Sequence, residues 1–183
     1  MKLYITRHGE TNYNKRGLVC GVTNAQLTDK GIAQANLLAQ DIKENKGKYN
    51  IKHIYVSPLD RARNTSKPIE DVLNITAEVE PGIIEFNFGK YEECPVGDVE
   101  FRKLRRQPFM KFQNGESILS ATHRIYSTID KIIDGHKEDD GNVLLVCHGT
   151  CARIISTYFN DVLESDYYNL LMNNCELIEF NIE

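Results

Sequence analysis

Two short stretches set a histidine and a glycine at the end of an apolar run. Arg7-His8-Gly9-Glu10 follows Leu3-Tyr4-Ile5-Thr6, and His148-Gly149 follows Val143-Leu144-Leu145-Val146-Cys147. An imidazole that is neutral at physiological pH carries a nitrogen lone pair able to act as a nucleophile. The guanidinium beside it in Arg7 is a planar clamp for an oxyanion. A third basic residue, Arg61 in Ser57-Pro58-Leu59-Asp60-Arg61-Ala62, falls in the first turn of an expected helix. A cation there opposes the helix dipole, which is reasonable if Arg61 faces a bound anion. Its plainer use is a surface salt bridge to Asp60 or Glu70. Taken together, these are the residue types needed for chemistry on a phosphoryl group.

Such residues must be positioned by strands that end together and by the helices that follow them. Residues 2–6 and 54–57 read as short strands, and 142–147 is the most apolar strand of the chain. Residues 28–45 read as a helix with Thr28 as N-cap and Ile32, Ala35, Leu38, Ala39 and Ile42 on its buried face. A helical segment runs from Pro58 to about Val72, where Pro68 is expected to kink or shorten it. Residues 77–84 are extended and broken by Pro81-Gly82. An amphipathic helix spans 117–137, a further helix 150–159, and a last strand 176–182. Strands alternating with helices predict an α/β protein, a three-layer α/β/α sandwich around a mostly parallel sheet. Residues 91–112 break the rhythm with turn residues, basic residues and several Phe. They read as a small helical lid over one end of the sheet, within an insertion at about 90–115.

At 183 residues the chain is long enough for one domain, 1–183, with a substantial core. A net charge of −4 supplies no global field for a polyanion, so no nucleic-acid partner is expected and any anion site must be local. No apolar run reaches the length of a membrane span, and strand-like sequence begins at Lys2 without a leader, so no membrane partner is expected. Cys20, Cys94, Cys147, Cys151 and Cys175 are odd in number and scattered. That pattern points to reduced thiols and a cytoplasmic setting. Nothing in the sequence bears on oligomeric state.

The ordered set Arg7-His8-Gly9-Glu10, Ser57-Pro58-Leu59-x-Arg61-Ala62 and His148-Gly149 resembles the histidine phosphatase superfamily, also called phosphoglycerate mutase-like. Asn14, Arg16 and Gly21 resemble the stretch that follows its first motif. Leu27-Thr28-x-x-Gly31-x-x-Gln34-Ala35 is similar to the opening of its first helix. Glu85-Phe86-x-Phe88-Gly89 is similar to its acid-bearing loop, and Gly115-Glu116-Ser117 to the start of the helix after the lid. The resemblance covers essentially the whole chain. It implies that His8 attacks phosphorus and becomes a phosphohistidine, which water then hydrolyses. Arg7, Arg61 and His148 would surround the phosphoryl, and Asn14 would donate a further hydrogen bond. Glu85 would protonate the leaving alkoxide, with neither metal nor cofactor. The apolar neighbours Ile83, Ile84, Phe86 and Phe88 suit a carboxyl that must carry a proton. The substrate would be a small phosphorylated metabolite, with Gly149 and the lid residues Arg105 and Arg106 among its contacts. Two departures fall where substrate is selected: Glu93 replaces a second loop glycine, and Asn24 stands where an acid is common.

Other readings remain open at this point. Cys147 and Arg153 fit the C-x5-R phosphate loop of cysteine-dependent phosphatases, but that leaves Arg7, His8, Arg61 and Glu85 without a role. A metal hydrolase built on His8 and His148 matches no zinc spacing, and the arginines would repel a cation. The fold could also serve as a phosphate-binding module without catalysis. A mutase needs a pocket closed to water, and the short segment between Glu85 and Gly115 favours hydrolysis instead.

Overall fold

In a computed structural model that describes residues 1–182, β1 (Lys2–Arg7) leads through a short helix, α1 (Asn12–Arg16), to the long α2 (Asp29–Glu44) and one turn, α3 (Lys46–Tyr49). Next come β2 (Ile51–Val56), α4 (Asp60–Leu73) and the two-residue β3 (Glu78–Val79). A loop-rich segment holds α5 (Val99–Leu104). After it come α6 (Ile118–His136), β4 (Asn142–Cys147), α7 (Gly149–Phe159), α8 (Glu164–Tyr167) and β5 (Leu177–Asn181). Among the described residues, no helix is long and apolar enough to cross a membrane.

The strands form one sheet in the order β3-β2-β4-β1-β5, parallel except for the antiparallel edge β5. Side chains alternate across it. Leu3, Ile5, Val143, Leu145 and Cys147 face α6 and α7, while Tyr4, Leu144, Val146, Ile54 and Val56 face α2 and α4. Covering both faces explains why β1 and β4 are almost continuously apolar. The helices after β1 and β4 lie on opposite faces, so the crevice beyond these two strand ends is the switch point where such sheets bind ligands.

Two local expectations need correction. Ile32 is half exposed, because the buried face of α2 runs through Gly31, Ala35, Leu38, Ala39 and Ile42. That rotation is set by Gly31, where a Cβ would stand 2.1 Å from the Glu10 carbonyl oxygen. The first turn of α2 thus lies backbone to backbone against the loop that carries His8. Pro68 neither ends nor shortens α4, which continues to Leu73. The carbonyl left without an amide partner belongs to Asn64, on the exposed side of the helix where water can reach it.

The segment between Glu85 and Ser117 is built on aromatic packing. Phe86, Phe88, Phe101, Tyr91 and Phe112 meet with ring centroids 4.7–6.1 Å apart. Arg102, Lys103, Arg106 and Lys111 lie on its exposed side.

Candidate active site

Register alone brings the two histidines together. Arg7 pairs with Cys147 across β1 and β4, so His8 and His148 are each the next residue out, with ring centroids 5.2 Å apart. The His8 Nδ1–H donates to the Gly9 carbonyl at 2.8 Å, which leaves Nε2 as the lone-pair nitrogen. Burial holds His8 well below the ordinary histidine range, and the Arg61 and Arg7 guanidiniums push it further down. His8 is therefore a neutral base at physiological pH, the state a nucleophile needs.

His148 is fully buried, with Nε2 2.6 Å from the Ser57 hydroxyl at the end of β2. Burial, then Arg61, His8 and Arg7, hold it too well below its usual range. Its Nδ1 has no hydrogen-bond partner among the described residues, and when Ser57 donates to Nε2 that atom carries a proton free to meet a bound anion.

Arg61 is fully buried and pairs with neither Asp60 nor Glu70, which overturns the surface salt bridge. Its Nη1 and Nη2 donate to the Thr23 and Gly21 carbonyls at 2.8 and 2.6 Å, leaving Nε without a partner. The 21–23 loop that it grips is held from the other side by Glu92, whose carboxylate accepts from the Gly21, Val22 and Thr23 amides and from Phe88. Glu93, where the second glycine of the loop was missing, takes a left-handed φ of 69°. The turn keeps its shape at a conformational cost that glycine would not bear.

Arg7 donates from Nη1 to the Met172 carbonyl at 2.9 Å, and its buried Nε has no partner. Asn14 stands in α1 with its carbonyl oxygen accepting from the Thr11 amide, which frees its Nδ2 as a donor. Asn174, unnoticed in the sequence, donates to the His8 carbonyl at 2.7 Å and ties the last loop to the first.

Glu85 is buried, and its neighbourhood is only partly apolar. Its carboxylate accepts from the Thr150 and Cys151 amides at 3.0 and 3.2 Å and from Phe86 at 2.8 Å. The amides at the N-terminus of α7, a place expected to suit a bound anion, are therefore occupied by this side chain.

Arg7, His8, Asn14, Glu85, Gly149, Arg105 and Arg153 line one cleft of about 260 Å³. Arg61 and His148 lie buried beneath it. Arg106 does not enter: it is exposed, beside Tyr168 and away from the cleft, because it follows Arg105 on the opposite side of the chain's turn. Arg153, which the sequence placed only in the rival C-x5-R phosphate loop, lines this cleft as well. It is buried, donates from Nε to the Leu170 carbonyl, and repels Arg105, whose guanidinium lies over Tyr168 and Phe101. The signal was present as an Arg one turn into the helix after His148.

The C-x5-R reading does not survive this geometry. Cys147 and Cys151 are fully buried, and residues 149–153 form helix rather than a phosphate loop.

The histidine phosphatase superfamily (branch 1) model matches residues 3–183. The chain belongs to that family. This histidine phosphatase is similar to a Hydrogenobacter thermophilus protein whose name provisionally assigns it to phosphoserine phosphatases. The two are 28% identical, over 100% of this chain and 90% of the other. A Yersinia pestis protein named probable phosphoglycerate mutase GpmB is 29% identical, over 97% and 83%. Among solved structures, phosphoserine phosphatase from Entamoeba histolytica, in complex with 3-phosphoglyceric acid, superposes with a TM-score of 0.82 at 27% identity, over 98% and 90%.

Proposed function

We propose that this phosphatase hydrolyses a small phosphomonoester that also carries a carboxylate, through a phosphohistidine on His8. The observation that carries the reading is a set of three buried nitrogens without partners among the described residues, Arg7 Nε, Arg61 Nε and His148 Nδ1, grouped around a neutral histidine. Buried N–H groups are almost always satisfied, so three orphans at one strand end describe a receptor for an oxyanion.

In the first step His8 Nε2 attacks phosphorus, forming the P–N bond as the ester P–O bond breaks. The leaving alkoxide takes a proton from Glu85. In the second step water attacks the phosphohistidine and gives its proton to Glu85, and the P–N bond breaks to release inorganic phosphate and neutral His8. Arg7, Arg61, His148 and Asn14 stabilise the equatorial oxygens in both transfers, where preorganised donors act most strongly. Positive side chains already supply the charge that a divalent cation brings elsewhere, which supports a metal-independent route.

The carboxylate follows from Arg105 and Arg153. Among the described residues, neither has a carboxylate within ion-pair distance, and both line the cleft that holds His8. Two neighbouring guanidiniums call for a second anionic group on the substrate. The names of the relatives agree with such a substrate: phosphoserine and 3-phosphoglycerate are both phosphorylated acids. The site is a cleft rather than a closed chamber, which favours hydrolysis over mutase chemistry.

The test is hydrolysis of phosphoserine, 3-phosphoglycerate and p-nitrophenyl phosphate in excess EDTA. Activity should survive the chelator and vanish in His8→Ala, and acid-labile phosphoenzyme should accumulate in the wild type only. Arg105→Ala and Arg153→Ala should lower kcat/KM roughly 10- to 100-fold for the two acids, the worth of a charged hydrogen bond, and far less for p-nitrophenyl phosphate. Full activity in His8→Ala would overturn the mechanism. Equal losses on all three substrates would overturn the substrate class.

A further inference from the structure

At the opposite end of the sheet, side chains from β2 and from the end of α6 and the turn after it converge without any part in the chemistry above. His53 and Tyr55 are two residues apart on β2 and so share the face that α6 covers. His136 is the last residue of α6, and Asp139 lies in the turn that leads to β4. The His53 and His136 rings stack with centroids 3.8 Å apart and planes 26° apart. His53 Nε2 and His136 Nδ1 both point at one oxygen, Asp139 Oδ2, at 2.9 and 2.7 Å. The other ring nitrogen of His136, Nε2, is 2.8 Å from the Tyr55 hydroxyl.

We propose that His53, His136 and Asp139 form a binding site for a transition-metal dication of the zinc type. Their three ligand atoms lie within 4.8 Å of one another, a grouping found nowhere else among the described residues. Two imidazole nitrogens and one carboxylate oxygen form a ligand set suited to zinc and poorly suited to magnesium or calcium. Without a cation, the single Asp139 oxygen must accept N–H groups from two stacked rings. A dication on the solvent side would take both nitrogen lone pairs and the carboxylate. Each neutral imidazole then moves its proton to its other nitrogen, so none need be released. His136 Nε2–H would donate to Tyr55, and such an outer partner is what orients a metal-bound histidine. Asp139 is part exposed, which gives the ion a path in and leaves a fourth position for water.

Bound there, the ion would clamp the turn after α6 to β2. His53 lies four residues before Ser57, ~13 Å along the strand, so catalysis should not depend on it.

The test is calorimetric titration of the chelator-stripped chain with Zn2+ alone, followed by Co2+ spectroscopy. Cys20, Cys94 and Cys175 are free and part exposed, so thiolate binding has to be distinguished. The expected result is saturable binding of one ion per chain, a rise in Tm on adding metal, and a cobalt spectrum without a thiolate charge-transfer band. His53→Asn and Asp139→Asn should weaken binding at least 10-fold. Tyr55→Phe, which touches no ligand atom on the metal side, should weaken it about 10- to 100-fold. Hydrolysis of p-nitrophenyl phosphate should stay at the wild-type rate in all three. No saturable binding, a thiolate-type spectrum, or affinities unchanged in His53→Asn and Tyr55→Phe would each overturn the proposal.

Discussion

Lowering the pH from about 7.5 to about 5.5 should destabilise this protein through His8 and His148. Both are held well below the ordinary histidine range, first by burial and then by the guanidiniums of Arg61 and Arg7. In the unfolded chain each titrates near the reference value of about 6.5. The unfolded state therefore binds protons that the native state refuses. The contribution is fully present above pH 6.5 and is lost as the pH falls below it toward the native values. While both rings stay neutral in the native state, each accounts for a loss of about 1.4 kcal/mol at pH 5.5, or about 3 kcal/mol for the pair. Urea denaturation of the wild type and of His8→Asn at both pH values, at fixed ionic strength, isolates the effect. Carboxylates titrate alike in both proteins and cancel in the comparison. The loss between the two pH values should be smaller in His8→Asn by about 1.4 kcal/mol, because Asn does not titrate. The same loss in both proteins would refute the reasoning, since it would mean that native His8 takes up a proton as readily as the unfolded chain.

Three further outcomes follow from the geometry. Glu85→Gln should slow hydrolysis of alkyl phosphates by about 10²- to 10⁴-fold and of p-nitrophenyl phosphate much less, because nitrophenolate leaves without a proton; equal losses on both would remove Glu85 from proton transfer. Gly31→Ala should lower stability by about 1–3 kcal/mol in urea titrations, since the new Cβ would meet the Glu10 carbonyl oxygen at 2.1 Å and backbone would have to move. Cys147→Ser should keep wild-type kcat on p-nitrophenyl phosphate, as the thiol is buried in the core on the α6 and α7 face and has no access to substrate.

Much of the site was legible because its signals are local. An apolar run ending in a histidine marks a strand end, and a Pro-containing turn followed by helical periodicity marks the next element. Once β1, β2 and β4 are parallel neighbours, Arg7, His8, Ser57 and His148 must emerge side by side, whatever else the chain does. Sequence also exposed Glu93 and Asn24 as departures, and at Glu93 the backbone shows what the missing glycine means: a glutamate held at positive φ.

What sequence alone determined, then, was the alternation of strands and helices and the residue types at the strand ends, both of which follow from short-range periodicity. Tertiary structure decided the partners. Whether Arg61 met a carboxylate or two loop carbonyls depended on residues 40 and 38 positions away, at Gly21 and Thr23. Whether Arg105 or Arg106 reached the cleft depended on the direction of one turn, and Arg153 and Asn174 joined the site from the last third of the chain. His53 and His136, 83 positions apart, became neighbours only because α6 ends beside β2. Hydrophobic patterning specifies which face of an element is buried. Which polar groups meet at its end is settled by packing and by the requirement that buried donors and acceptors find partners.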